Sequence, residues 1–210
     1  MNLLGQTTLG IIMLLFLGML VLVKRAATGD ILDTPKGNFL VQLVNIFNLF
    51  FLLVVNPLAA ILLLTRHLVV VDPTHLVIRD PFVLTVLELA GLVTYAAGFL
   101  IIAWALITLG ENYQLGGSAP RTDDRMIVDG PYRLIRHPMY ASALSISLGL
   151  SLLIQSWAFF LFFGVYSLLI ALLIPVEEER LLKAYGDRYL AYGRKTHKLL
   201  IPILTPGGNK

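Results

Sequence analysis

The chain has 210 residues, of which 57% are hydrophobic and only 14% are charged, well below the roughly 25% of charged residues that is usual in soluble domains. This composition excludes an ordinary soluble domain and is typical of an integral membrane protein. The chain contains no cysteine, which excludes disulfides, thiolate metal sites and a cysteine nucleophile. The net charge of +3 suits contact between the positive residues and anionic lipid headgroups. We therefore predict no nucleic-acid partner.

Five apolar runs follow one another along the chain, with polar segments between most of them. A transmembrane helix needs about 20 apolar residues, so the second and third runs are long enough to span a bilayer, whereas the last two are shorter. Gln155 and Ser156 alone separate these last two runs, which indicates a tight helical hairpin. We therefore predict an all-α integral membrane protein with five transmembrane helices, formed by residues 9–23, 39–64, 82–109, 141–154 and 157–174.

Positive residues are distributed unevenly between the predicted loops. Fourteen of the sixteen Lys and Arg residues lie in the first loop, in the loop of residues 110–140 and in the C-terminal tail, which share one side if five helices cross the membrane. Only Arg66 and Arg79 lie elsewhere. Because cytoplasmic loops collect Lys and Arg, we predict an external N-terminus and a cytoplasmic C-terminus. Lys24 and Arg25 follow the first apolar run rather than precede it, so this run is expected to be a retained anchor.

Isolated polar residues in the first half of the chain carry weaker signals. His67 and His75 lie in the loop between the second and third runs without a carboxylate cluster at ligand spacing, so no metal site is predicted. Asn45, Asn48 and Asn56 lie inside the second run. Such residues are more often interhelical hydrogen-bonding groups than a transport pathway.

A polar block, GPYRLIRHPMY, precedes the fourth run. Pro138 disfavours helical geometry at His137 and suits the first position of a helix, so we predict that the fourth helix begins there. His137 is then the cap, Arg136 precedes it, and Tyr140 lies in the first turn. The unpaired N–H groups of such a helix end favour an anion. The alternative is that Arg136 and Arg133 contact lipid headgroups while His137 only caps the helix.

A second polar block, VEEERLLKAYGDRYLAYGRKTHKLLIP, follows Pro175. Glu177 and Glu178 lie within a turn of the predicted membrane boundary, where unpaired carboxylates are costly, and are therefore functional candidates. Glu179 is predicted to be a solvated surface residue that pairs with Lys183 one turn later.

The two blocks and the short apolar hairpin between them resemble the isoprenylcysteine carboxyl methyltransferase family and its prokaryotic relatives, and more distantly the phospholipid N-methyltransferases. The resemblance covers residues 110–203 and includes GPYRLIRHPMY, EEERLLKAYGDRYLAY and a closing IP. It implies a membrane methyltransferase that uses S-adenosylmethionine, releases S-adenosylhomocysteine and has no Rossmann domain. The single domain, 1–210, would comprise three transmembrane helices in 1–109 and a methyltransferase core in 110–210. Its cofactor pocket would be cytosolic, between the 110–140 loop and the C-terminal helix.

The same resemblance assigns the cofactor-binding residues. They are Asp124, Arg125, Met126, Ile127, Tyr132, His137, Pro138, Met139, Tyr140 and Glu177. Eukaryotic carboxyl methyltransferases carry an arginine about one turn before the glutamate that corresponds to Glu177, whereas this chain has Leu173. The methyl acceptor is therefore left open between an isoprenylcysteine-like carboxylate and a lipid amine.

Two residues are predicted to act in catalysis, Glu178 and Arg136. A lipophilic acceptor would enter from the bilayer, with membrane lipids as its surroundings. A carboxylate acceptor needs no general base, whereas an amine needs one, and Glu178 or His137 is then the candidate. Two other readings stay open: an NADPH-dependent reductase of the membrane sterol-reductase type, which shares a similar C-terminal pattern, and a non-enzymatic membrane scaffold or transporter.

Overall fold

The computed structural model describes residues 5–32, 37–114, 116 and 125–199. Its α-helices, in chain order, are α1 (Gln6–Thr28), α2 (Phe39–Phe50), α3 (Asn56–Leu64), α4 (Leu68–Val71), α5 (Pro81–Leu109), α6 (Pro138–Ile154), α7 (Trp157–Tyr185) and α8 (Asp187–Gly193). Over these residues no β-strand forms beyond two isolated bridges, so the predicted all-helical class is confirmed.

Four helical segments are long and apolar enough to cross a membrane: α1, α5, α7 and the rod in which a π-helical turn, Phe51–Val55, joins α2 to α3. Large apolar side chains on these segments, such as Leu15, Leu22 and Leu161, are exposed and therefore suited to contact lipid. The chain is thus an integral membrane protein. The remaining predicted span corresponds to α6, which has 17 residues and is shorter than the other four, so the count of five crossings stays a prediction.

Helix α6 is the centre of the bundle, with 13 of its 17 residues buried. It packs antiparallel against α5 at backbone distance, because glycines face the partner helix. A Cβ at Gly149 would lie 2.5 Å from the backbone N of Tyr95 and 2.8 Å from the carbonyl of Gly91. A Cβ at Gly98 would lie 2.9 Å from the carbonyl of Ser142. Small residues allow this approach between membrane helices, and the tight packing fixes where α6 begins.

Asparagines of the second apolar run link the helices to one another. The Tyr95 hydroxyl of α5 donates to the side-chain oxygen of Asn56 at 2.7 Å, and the Tyr166 hydroxyl of α7 donates to that of Asn48 at 2.7 Å. The predicted role as interhelical hydrogen-bonding groups is confirmed for Asn48 and Asn56 but not for Asn45. The Asn45 amide donates to the carbonyl of Gly116 at 2.9 Å, which ties α2 to the loop after α5.

At the opposite end of α6, a two-residue connection leads directly into α7. Gln155 takes the left-handed conformation with φ 56°, which turns the chain, and its carbonyl accepts from the N–H of Leu76 at 2.7 Å. The hydroxyls of Thr74 and Ser156 are 2.9 Å apart. These bonds dock the loop before α5 onto the turn between α6 and α7. The described residues contain no group of three or more His, Cys, Asp or Glu side chains that could hold a metal ion.

Candidate active site

The site begins where α6 begins. Pro138 is the first residue of the helix, as predicted. His137 precedes it, but its side chain makes no capping hydrogen bond with α6. The imidazole is buried instead, with 3% exposure, and stacks on the ring of Tyr140 with centroids 5.6 Å apart. His137 thus occupies the predicted N-cap position, but its side chain does not cap the helix.

The chain just before α6 is held by the segment that follows α8. Ile135 forms a parallel bridge with His197, the N–H of Arg136 donates to the carbonyl of His197 at 2.8 Å, and the N–H of His137 donates to the carbonyl of Lys198 at 3.2 Å. No pattern in the sequence predicts this pairing, because the segment is short and polar.

Helix α7 continues through Pro175 into the second polar block, so that Glu177 and Glu178 lie beyond the apolar part of the helix. Three basic side chains converge on Glu178: its carboxylate oxygens lie 3.3 Å from Arg136 Nε, 3.4 Å from His137 Nε2 and 2.9 Å from Lys198 Nζ. Burial raises the pKa of Glu178, but the bonds from His137 and Lys198 and the charge of Arg136 outweigh it and hold the pKa at about 2. This carboxylate is therefore ionised at neutral pH and is a poor proton acceptor.

The neighbouring Glu177 faces a different partner. Its carboxylate accepts a hydrogen bond from the hydroxyl of Tyr140 in α6. Burial, together with the charge of Glu177, raises the pKa of the nearby Tyr132 hydroxyl. Glu179, one position further on, is exposed and pairs with Lys183 at 2.6 Å, as predicted. The three adjacent carboxylates thus occupy three different environments.

A cavity of about 170 Å³ opens in front of the α6 entrance. It lies between α2, the end of α5, residues 125–140, α7 and α8. Ten of the twelve residues that the sequence singled out line it, namely Arg125, Met126, Ile127, Tyr132, Arg136, His137, Pro138, Met139, Tyr140 and Glu177. Glu178 is not among the lining residues, because it lies behind Arg136 and His137. Asp124 lies outside the described residues.

Other lining residues were not predicted as part of the site. From α2 and α7 come Val44, Asn45, Asn48 and Tyr166, from the end of α5 and the turn after it Ile102, Leu109, Asn112 and Tyr113, and from the last helices Leu181, Tyr185, Tyr189 and Tyr192. Tyr185, Tyr189 and Tyr192 follow one another at steps of four and three, which places them on one face of a helix. From this spacing they could have been predicted as part of the site.

Two of these tyrosines differ in hydrogen bonding. The hydroxyl of Tyr192 donates to the carbonyl of Tyr132 at 2.6 Å. Tyr189 is 6% exposed, and its hydroxyl has no hydrogen-bond partner among the described residues. Burial raises the pKa of Tyr189 well above the usual range of a phenol, so its hydroxyl stays protonated and able to donate.

Known membrane methyltransferases match both the sequence and the fold. The phospholipid methyltransferase family model matches residues 86–188. Among solved structures, a eukaryotic intramembrane Ras methyltransferase, isoprenylcysteine carboxyl methyltransferase, is similar with a TM-score of 0.53 and 18% identity, covering 97% of this chain and 88% of that chain. At this identity the similarity concerns the fold. No curated protein matches the sequence significantly.

These comparisons confirm the resemblance that the two polar blocks indicated, and they support a membrane methyltransferase. The family match begins at residue 86, inside α5, so it includes the α5–α6 pair that positions the site. Helices α1 to α4 lie outside it. Asn45 and Asn48 are therefore contributed to the cavity by the part of the chain that the family model does not match.

Proposed function

We propose that the protein is an integral membrane methyltransferase that uses S-adenosylmethionine to methylate a lipophilic acceptor drawn from the bilayer. The observation that carries the proposal is the cavity that residues of both polar blocks line, with Tyr140 of the first block bonded to Glu177 of the second. We further propose that five helices cross the membrane and that the cavity faces the cytoplasm, as the positive charge around it suggests.

The lining residues fit the parts of this cofactor. Met126, Ile127 and Tyr132 offer apolar and aromatic surfaces for adenine, and Glu177 offers a carboxylate for the ammonium and sulfonium charges. The hydroxyl of Tyr189 is a buried donor without a partner among the described residues. Because nearly all buried polar groups in proteins have a hydrogen-bond partner, a polar group of the ligand is expected to accept from it. When bound, S-adenosylmethionine supplies an electrophilic methyl group carried on sulfur.

The residues of the chain act mainly by positioning, because methyl transfer is an in-line displacement that depends on orientation and on a dry site. The Tyr140 hydroxyl fixes the orientation of the Glu177 carboxylate. Arg136 and His137 are held from behind by Glu178, and from the side by the segment of residues 197–198. We therefore assign Glu178 to positioning rather than to proton transfer. If the acceptor must lose a proton, His137 is the remaining candidate to take it.

The acceptor would meet the membrane side of the cavity. There the lining residues Asn45, Asn48 and Tyr166 are polar but uncharged, and they belong to membrane-crossing segments. Leu173 is fully buried in α7 and is not among the lining residues. Without a cation at this side of the described cavity, a carboxylate acceptor would be poorly matched, and we favour a lipid amine.

The test is to measure ligand binding by the purified protein in detergent with isothermal titration calorimetry. We expect S-adenosylhomocysteine to bind with micromolar affinity and NADPH not to bind. The reverse preference would replace the methyltransferase with a reductase. Transfer of labelled methyl groups to vesicles that contain phosphatidylethanolamine, compared with a prenylated cysteine, then separates the amine from the carboxylate acceptor.

A further inference from the structure

Two tyrosine–asparagine bonds of the same kind join the rod of α2 and α3 to its neighbours, and only one of them lies at the cavity. The hydroxyls of Tyr95 and Tyr166 donate to the side-chain oxygens of Asn56 and Asn48, respectively, each at 2.7 Å. Asn56 is fully buried, and its Nδ2 has no hydrogen bond among the described residues. Asn48 is partly exposed and lines the cavity together with Tyr166. The second pair is therefore placed to meet a ligand, whereas the first holds helices together in the core.

The bond from Tyr166 determines which part of the Asn48 amide is left for a ligand. The side-chain oxygen is occupied, so the remaining group is Nδ2 with its two N–H donors. Nδ2 donates to no acceptor within the described part of the chain. Asn45 lines the cavity too, but its amide nitrogen already donates to the carbonyl of Gly116. Asn48 thus offers the cavity an oriented donor, which a hydrogen-bond-accepting oxygen would complete.

Aromatic packing holds Tyr166, and through it the amide of Asn48, in place. The Tyr166 ring is 1% exposed, and its centroid lies 5.3 Å from that of Phe47 and 5.8 Å from that of Phe51. Phe162, one turn earlier in α7, stacks on Phe47 with centroids 4.5 Å apart. The rings come from both membrane segments, so they fix the position of the donor before a ligand binds. Such preorganisation lowers the entropy that binding costs.

The surroundings of this donor are uncharged. Residues 38–64 and 157–176 contain no Lys, Arg, Asp or Glu. The Arg and Glu residues that line the cavity come instead from residues 125–140 and from the polar end of α7. A carboxylate or phosphate buried beside Asn48 would therefore lack a cation, which is costly. The amide suits an uncharged oxygen, such as the carbonyl of an ester.

The donor also lies deeper in the membrane than the wall proposed for the cofactor. Tyr166 precedes Glu177 by 11 positions in α7, which is about 16 Å along the helix axis. The groups of an amine-bearing glycerolipid follow the same order, with the amine outermost and the ester carbonyls next to the acyl chains. An amine held at the cofactor would therefore bring an ester carbonyl toward Asn48.

We propose that Asn48, oriented by Tyr166, is a specificity-determining residue that donates a hydrogen bond to an ester carbonyl of a diacyl glycerolipid, the methyl acceptor. This inference rests on the proposed function and names the part of the acceptor that is recognised on the membrane side. Helix α2 lies outside the family match of residues 86–188. The selectivity is thus contributed by a part of the chain that the family model does not match.

The experiment compares two lipids that differ in this carbonyl alone. Dioleoyl phosphatidylethanolamine carries two ester carbonyls, whereas its dialkyl ether analogue has the same headgroup without them. Transfer of labelled methyl groups from S-adenosylmethionine is measured against the mole fraction of each lipid in mixed detergent micelles. For the wild type we expect a KM about two- to tenfold lower for the diester, as one hydrogen bond provides, and a similar kcat for both lipids.

Matched double substitutions remove each tyrosine–asparagine pair without leaving one partner unpaired. Asn48→Leu with Tyr166→Phe should raise the KM of the diester to that of the diether and leave the affinity for S-adenosylhomocysteine unchanged. Asn56→Leu with Tyr95→Phe removes the same bond from the core and should keep the preference for the diester. Because both partners become apolar in each variant, the two melting temperatures should change little and to a similar extent.

Several outcomes would overturn the inference. They are an equal KM for the two lipids in the wild type, a preference that survives the cavity substitutions Asn48→Leu with Tyr166→Phe, and an equal loss of preference in both double variants. A fall in affinity for S-adenosylhomocysteine confined to the cavity substitutions would overturn it too, since the amide would then act on the cofactor. A wild-type protein that binds S-adenosylhomocysteine but methylates only a prenylated cysteine would refute the lipid acceptor alone. A wild-type protein that does not bind S-adenosylhomocysteine would refute the proposed function, and this inference with it.

Discussion

The hydroxyl of Tyr140 donates a hydrogen bond to the carboxylate of Glu177, across 37 positions of sequence. The bond joins the first turn of α6 to the polar end of α7, and so connects the two polar blocks of the chain. Gly116 lies against the same hydroxyl, since a Cβ there would collide with Tyr140 Oη. Three separate segments thus meet at one tyrosine, which lines the proposed cofactor site together with Glu177.

Glu177→Gln should weaken cofactor binding. The substitution keeps the shape of the side chain but removes the charge, and loss of a charge-assisted hydrogen bond costs about 1.5–3 kcal/mol. The affinity for S-adenosylhomocysteine should therefore fall by about tenfold or more, as measured by calorimetry.

Glu179→Gln is the matched control for this change. It removes the same charge two positions away, where the side chain is exposed and its pair with Lys183 is screened by solvent. Its affinity should be close to that of the wild type, with both variants melting normally. Equal, small losses in the two variants would show that Glu177 does not bind the cofactor.

Glu178→Gln should destabilise the protein at neutral pH, because Arg136 and Lys198 lose the carboxylate that they share. The expected cost in the free energy of unfolding is about 1–3 kcal/mol. Cofactor binding should also weaken, because Glu178 no longer holds Arg136 in place. Thermal unfolding in detergent measures the cost.

Acid should reduce the difference in stability between wild type and Glu178→Gln. The carboxyl titrates near 4.5 when unfolded and near 2 when folded, so its contribution to stability is complete above pH 4.5 and disappears as the pH falls toward 2. The gap in melting temperature between the two proteins should therefore be constant from pH 5.5 to 4.5 and shrink below that. A gap as large at pH 2.5 as at pH 5.5 would mean that the ionised carboxylate does not stabilise the fold.

Local signals in the sequence predicted much of the site. Pro138 marks the start of α6 by its own geometry, and the spacing of Glu179 and Lys183 within one helix is sufficient to predict their pair. Nine of the ten residues that the resemblance assigned to the cofactor line one cavity, and Asp124, the tenth, lies outside the described residues.

Contacts that depend on tertiary packing were not predictable from the sequence. The pairing of Arg136 with His197, and the bond between Asn48 and Tyr166, link segments that are far apart in the chain and carry no shared pattern. Glu178 was predicted to be catalytic because it lies near the membrane boundary. Only the convergence of three basic side chains distinguishes it from Glu177.

The C-terminus is predicted to lie in the cytoplasm, together with the cavity. Fourteen of the sixteen Lys and Arg residues lie in segments that five crossings would bring to that side. A reporter fused to the C-terminus should be active when it requires the cytoplasm, and a reporter at the N-terminus should be active when it requires the outside. Cytoplasmic activity of both fusions would imply an even number of crossings and would remove α6 from the count.

Gly149→Ala should destabilise the bundle through the contact between α5 and α6. The added methyl group would lie 2.5 Å from the backbone N of Tyr95, so the two helices must separate. Overpacking of this kind costs about 1–3 kcal/mol, which corresponds to a fall of about 2–4 °C in melting temperature for each kcal/mol in a protein of this size.

Gly164→Ala in α7 is the control, since a Cβ there meets nothing within 4 Å. Its melting temperature should be unchanged or slightly higher, because alanine favours a helix over glycine. If both variants melt like the wild type, α5 and α6 are not packed at backbone distance, and the position of the α6 entrance would have to be explained by the loops alone.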